Sequence, residues 1–181
     1  MTTLVFESPL RATAQQAYAW HARPGAFKTL TPWWAMTRVL REAPSLDPGS
    51  QALIRVGPGP LGVLWLAEHT HNDPPRGFVE RQVRGPFRSW EHRHRFLPLS
   101  GEPDGSILRD ELRYELPGGP LGLVADVLLV RPFLRRLFAY RHRATREGVQ
   151  RRPATTHPVV AASAGASSLD GARSVAIEDG F

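Results

Sequence analysis

The sequence predicts an α+β domain: an N-terminal strand, two short helical segments, an antiparallel meander of six strands, and one long C-terminal helix. Three observations carry this reading. Six segments are separated by proline- and glycine-rich breaks (DPG at 47–49, GPGP at 57–60, NDPPRG at 72–77, GPF at 85–87, SGEPDG at 100–105), at the 8–12-residue spacing of a meander. Two of these segments alternate polar and apolar positions, the mark of a sheet with one buried face. The stretch from Leu121 to Gln150 then changes to the helical period.

Thr2–Arg11 reads as the first strand. Thr13 can cap a short helix over Ala14–His21, because its hydroxyl can satisfy an orphan amide of the first turn. Pro24 restarts a second short turn through Phe27 and Leu30, and Pro32 ends it. The meander follows as Met36–Ala43, Ser50–Val56, Leu61–His71, Gly77–Arg84, Arg88–Leu97 and Ser106–Leu116. In the long helix, Leu123, Val124, Val127, Leu128, Phe133, Leu134, Leu137 and Phe138 form the apolar stripe. Arginines 131, 135, 136, 141, 143 and 146 form a solvated face. Pro132 interrupts the pattern and is expected to kink or split the helix, since it removes a backbone donor.

Composition narrows the class. The 181 residues contain no cysteine, which excludes thiolate chemistry and a disulfide framework. The N-terminus lacks the basic region and apolar run of a signal peptide, and no apolar stretch approaches the ~20 residues of a spanning helix. A cytoplasmic protein without a transmembrane segment is expected. The net charge of +6 rests on arginine, 22 of the 23 basic residues. These arginines are scattered rather than clustered, so a nucleic-acid partner is not expected. Residues 151–181 are rich in alanine, serine, glycine and threonine. They carry too few large apolar groups to offset the entropy of ordering, and are read as a disordered, low-complexity tail after a domain at 1–150.

The informative residues face inward yet are polar. In one alternating strand Trp90, His92, His94 and Phe96 share a face; in the other, Leu108, Asp110, Leu112, Tyr114 and Leu116 do. A buried carboxylate needs a partner, so Asp110 is expected to meet His94 across neighbouring strands. With hairpins turning at 74–75 and at Pro86, His69 falls opposite Glu80, Glu80 opposite His92, Gln82 opposite Trp90 and Phe78 opposite His94. His69, Glu80 and His92 then form one lateral row across strands ~4.8 Å apart. The His69-Thr-His71 and His92-Arg-His94 pairs each place two imidazoles on one strand face, an arrangement open to zinc or iron, to acid–base chemistry, or to a plain histidine–carboxylate network. No serine sits in a nucleophile-elbow context.

The run FVERQVRGPFRSWEHRHRF (78–96), with TPWW (31–34), WLAEHTH (65–71), DELRYELPG (110–118) and FAYRHR (138–143), resembles the SRPBCC superfamily of START, Bet v 1-like and polyketide cyclase/dehydrase-like proteins. It is similar in particular to the group carrying GPF..W.H.H.F, whose members are sometimes fused to an epimerase-like domain. The resemblance spans residues 1–148; it departs at TPWW, where PPW is usual, and at Glu80, where aspartate is usual. It implies a helix-grip fold, a curved antiparallel sheet wrapped around the C-terminal helix, with a cavity between them. The implied function is binding of a small, largely apolar molecule of lipid, polyketide or isoprenoid type. The expected ligand-binding residues are Trp33, Trp65, His69, Glu80, Gln82, Trp90, His92, His94, Asp110 and Tyr114. No catalytic residue, cofactor or metal is expected. The alternatives are a cyclase/dehydratase-type enzyme using the pocket His, Glu and Asp residues, and an accessory module for an epimerase-like protein.

Deleting residues 151–181 is expected to leave the thermal midpoint nearly unchanged, because little apolar area goes with them. A drop of more than ~5 °C in a thermal melt would show that the segment packs on the domain.

Overall fold

The computed structural model describes residues 1–150; the expected tail at 151–181 lies outside the described residues. In chain order the elements are β1 (Thr2–Leu10), α1 (Ala14–Ala22), α2 (Ala26–Thr29), a 3-10 turn (Trp33–Ala35), β2 (Thr37–Arg41) and β3 (Gln51–Val56). A second 3-10 turn (Gly59–Leu61) leads to β4 (Val63–Asp73), β5 (Gly77–Arg84), β6 (Ser89–Pro98) and β7 (Ser106–Glu115). The chain ends in α3 (Gly119–Ala125), a π turn (Asp126–Val130) and α4 (Arg131–Gln150). The predicted order is recovered, with element ends shifted. The strand expected at Met36–Ala43 shortens to Thr37–Arg41, freeing the segment after it to turn over the cavity described below.

Seven strands form one antiparallel sheet in the order β1-β7-β6-β5-β4-β3-β2. Only β1 departs from sequence order. It pairs with β7, so α1 and α2 must carry the chain from one sheet edge to the other before β2 begins. Thr13 caps α1 as expected, and Gln16 returns the bond to the Thr13 amide, completing a capping box. The long helix lies on the concave side, giving the helix-grip arrangement.

The helix does not cover the sheet evenly. Phe138 stacks on Phe6 of β1 at 4.6 Å between ring centroids and meets His92 of β6 edge-on at 5.0 Å. Leu4, Trp90, Leu112, Tyr114, Leu134 and Phe138 make the core beneath this contact. At its far end α4 meets α1 closely: a Cβ on Gly148 would lie 2.4 Å from the Trp20 indole, so glycine is what lets the two helices approach. Strands β2–β4 receive no such contact from the helix, and the cavity forms there.

Pro132 does not split the helix. Just before it the chain widens into a π turn, in which the Arg131 amide reaches back to the Asp126 carbonyl. That wider turn accommodates a residue that lacks a donor and crowds the preceding turn. The expected apolar stripe fails in this same stretch. Leu123, Val124, Val127 and Leu128 are exposed, and Asp126 is the buried residue. Asp126 accepts from Thr2 Oγ1 at 3.0 Å, from Arg131 at 2.6 Å and from the Tyr114 hydroxyl. Three donors on one buried carboxylate fix which face of the helix meets the sheet. No helix among the described residues is long and apolar enough to cross a membrane.

Asp126→Ala should cost about 2–3 kcal/mol, since it leaves a buried tyrosine hydroxyl and a half-buried guanidinium without their acceptor. The midpoint of denaturant unfolding checks this; a shift within error would mean that the apolar contacts of α4 alone seat the helix.

Candidate functional site

Inward parity places Ala52, Ile54 and Val56 of β3, Trp65, Ala67 and His69 of β4, and Phe78 and Glu80 of β5 on the concave face. Opposite them stand Val130, Phe133, Leu137 and Arg141 of the π turn and α4. Between the two lies a cavity of about 810 Å³, largely apolar, which Ala43–Leu46 and Phe27 close from the side. A site of this size suits a single small organic molecule.

The strand registers match the expected row. His69 pairs with Glu80, Glu80 with His92, Phe78 with His94, and His94 with Asp110. His92 Nδ1 lies 3.0 Å from Glu80 Oε1 and its Nε2 lies 3.5 Å from Asp110. His94 Nδ1 approaches Asp110 at 2.7 Å, and His142 of α4 bonds the other Asp110 oxygen at 3.0 Å. The carboxylate–imidazole chain thus runs from the cavity wall, at Glu80 and His94, into the core beneath the helix.

Of the ten expected ligand-binding residues, Trp65, His69, Glu80, Trp90 and His94 line the cavity. His92, Asp110 and Tyr114 face inward but are buried behind it, where α4 lies directly on β6 and β7. Gln82 is held elsewhere: its amide donates to the Phe87 carbonyl at 2.7 Å and accepts from the Phe87 amide, bracing the β5–β6 turn. Trp33 is 90% exposed and lies outside the cavity. In a 3-10 turn neighbouring side chains diverge by about 120°, and here Trp34 takes the packed position, against Phe133 and Tyr140. His71 does not share the face of His69. A bulge at Thr70 pairs His71 with Val79 and turns its side chain outward.

Strand parity does not reach the cavity residues that lie on helices, among them His21 of α1, Phe138 and Arg141, and Arg141 is not part of the solvated arginine face. Helical phase held the signal: Leu134, Phe138 and Arg141 follow one another at i, i+4 and i+7.

Burial and pairing divide the charge. Desolvation opposes ionisation of Glu80, but the His92 bond outweighs it and brings its pKa to about 2. Asp110 is likewise held well below the usual carboxylate value by its imidazole partners, against its own desolvation. Desolvation also opposes protonation of His92, yet Asp110 and Glu80 raise its pKa. Desolvation, with the charge on His92, lowers His94 to about 4; desolvation lowers His21 to about 3, and lowers His69 as well. The pattern is one imidazole, His92, whose protonated form is favoured by two carboxylates, with His21, His69 and His94 pushed toward the neutral form. Glu80, His92 and His94 each offer a ligand atom within 4.8 Å of the others. His92 Nδ1 is hydrogen-bonded to Glu80, while His92 Nε2 and His94 Nδ1 lie within 3.5 Å of Asp110.

A sequence profile described as polyketide cyclase/dehydrase and lipid transport matches residues 10–139. No curated protein matches at the sequence level. Norcoclaurine synthase from Thalictrum flavum, as a point mutant with a transition-state analogue, is 14% identical with a TM-score of 0.63 over 82% of this chain and 94% of its own. A START superfamily protein from Mycobacterium smegmatis is 16% identical, TM-score 0.54, over 82% and 97%. A nucleoside-diphosphate sugar epimerase from Corynebacterium glutamicum is 23% identical, TM-score 0.61, over 80% of this chain but 28% of its own. At these identities the likeness is one of fold.

Stability should fall steadily as pH drops from 7 to 4.5. His21, His69 and His94 have folded pKa values below the ordinary 6.5, so their contribution is present above that value and is lost as the unfolded chain takes up protons. Glu80 and Asp110, with depressed values, contribute above the ordinary carboxylate range and lose that contribution as pH falls further. His92, with a raised value, contributes fully below 6.5 and so adds nothing more on further acidification. Thermal melts across this range check the sign; a midpoint that holds or rises on acidification would contradict the assigned proton states.

Proposed function

The chain belongs to the polyketide cyclase/dehydrase and lipid transport family of the SRPBCC superfamily, and on that premise we propose that it is a non-catalytic carrier of a small, largely apolar molecule of lipid, polyketide or isoprenoid type. The observation that carries the reading is a largely apolar cavity of about 810 Å³ between sheet and helix, with His69, Glu80 and His94 on its sheet wall. The apolar body would lie among Ile54, Trp65, Trp90, Phe133 and Leu137, and the polar end would meet His69, Glu80 and His94. The indole N–H groups of Trp65 and Trp90 have no acceptor among the described residues, which supports a ligand carrying a carbonyl or hydroxyl along its length.

The same geometry bears on the enzymatic alternative. A general base works best with a pKa near the working pH. Glu80, at about 2, and His94, at about 4, are weak bases at neutrality, and His92 is enclosed away from the cavity. These proton states favour binding over proton abstraction. The accessory-module alternative has the epimerase likeness of fold behind it and no site of its own here.

A fluorescent fatty-acid-like probe should bind with one-to-one stoichiometry and quench Trp65 and Trp90 by energy transfer. Ala67→Trp fills the cavity from β4 and should weaken the probe by tenfold or more, about 1.4 kcal/mol, while the circular dichroism stays unchanged. Wild-type-like binding in a folded Ala67→Trp variant would place the ligand outside the cavity.

A further inference from the structure

The two inward carboxylates of the sheet, Glu80 and Asp110, both face His92, and one helix-borne cation has no ion-pair partner among the described residues. Arg141 lines the cavity from α4. Its guanidinium carbon sits 5.4 Å from the Phe138 ring centroid and 5.9 Å from that of Phe27. Its Nε donates to the Leu30 carbonyl at 3.2 Å, and among the described residues the guanidinium forms no ion pair. The nearby carboxylates face other groups: Glu80 faces His92, Asp110 faces three imidazoles, and Glu42 accepts from the Gly25 amide through one oxygen while the other lies 4.0 Å from Lys28. The other arginines of this helical segment differ. Arg131 is paired with Asp126, and 135, 136, 143 and 146 face solvent.

A guanidinium stays protonated in a protein, presents a planar fork of donors, and is costly to remove from water without an anion. Desolvation lowers the pKa of Arg141, while Glu80 and Asp110 act on it only through space and in the opposite sense. A carboxylate is the group whose geometry fits that fork with two parallel hydrogen bonds. The helix also sets the distance to the apolar end. Phe133 lies eight residues before Arg141, about 12 Å along the axis at 1.5 Å per residue, so a head group at Arg141 leaves room for an extended chain.

Resting on the carrier reading above, we propose that Arg141 is an anion subsite and that the cargo is an amphiphilic acid, its carboxylate on the Arg141 fork and its apolar body running along α4 toward Phe133. The head group lies on the helix side of the polar wall, across from Glu80. Glu80 is bonded to His92, which lessens the repulsion between the sheet side of the wall and a second carboxylate.

The test compares dodecanoic acid, its methyl ester and dodecanol by displacement of the fluorescent probe from the full chain. The wild type should prefer the acid over both neutral ligands by tenfold or more, the size of one charge-assisted hydrogen bond pair. Arg141→Gln should remove that preference while leaving dodecanol within about twofold, and Arg141→Lys, a point charge without the fork, should restore part of it. Equal affinities for acid, ester and alcohol in the wild type overturn the anion subsite while leaving the carrier reading intact. An acid preference that survives Arg141→Gln also overturns it. Failure of all three ligands and of the probe to bind overturns the carrier reading, and this inference with it. The wild-type comparison needs no variant, so it decides even if Arg141→Gln does not fold.

Discussion

The architecture turns on a clamp between the last helix and one half of the sheet. Asp110 on β7 binds His142 on α4, and Phe138, one turn earlier, stacks on Phe6. Both contacts fall on the β1–β7–β6 side. Once the helix is held there, the sheet beyond β5 cannot close on it with the side chains it has, and a cavity follows. A wholly apolar clamp could also seat a helix, but less selectively: Asp110 reaches α4 through a single imidazole at a single position. The same carboxylate orients His94 at the cavity wall, so structural clamp and binding surface share a residue.

That arrangement explains how so many ionisable groups can lie inside a small domain. An isolated buried carboxylate would be driven to its neutral form. Here Glu80 and Asp110 flank one imidazole, His92, that is fully enclosed, and the three charges stabilise one another where water cannot. The histidines further out, His21, His69 and His94, lack that double pairing and stay neutral. Proton position is thus set by the number of carboxylate neighbours rather than by burial alone, since His21 is also deeply buried and goes the other way.

Much of this was legible in the sequence, for a definable reason. The order of elements followed from turn chemistry, and the His69–Glu80–His92 row followed from two hairpin turns and the two-residue period of a strand. Parity tells which face a side chain takes. It does not tell how far the opposing layer stands from that face, so His92, Asp110 and Tyr114 pointed inward as expected yet lie under the helix rather than in the cavity. Parity also fails at a bulge, as at His71, and does not apply within a 3-10 turn, as at Trp33. Arg141 was hidden by company: six arginines in sixteen residues read as one solvated face, and only their phase against Leu134 and Phe138 separates the inward one.

The cavity itself was the least legible feature, because it is a deficit of volume. The concave ends of β3 and β4 carry alanine at 52 and 67, and alanines 22, 35 and 43 close other walls. Phe78 and Trp90, one and two strands beyond β4, fill the adjoining face instead. Small residues at these places read from sequence as weak strand formers, not as space. The helix carries the converse signal: Leu121, Leu123, Val124, Val127, Leu128 and Leu129 form an apolar run whose outward exposure runs against the usual hydrophobic rule. The buried side chain in that run is Asp126, bonded to Thr2, Tyr114 and Arg131. A carboxylate with three buried or half-buried donors waiting for it outweighs the burial of any one leucine, at about 2 kcal/mol each, so a single polar residue decides which way this part of the helix faces.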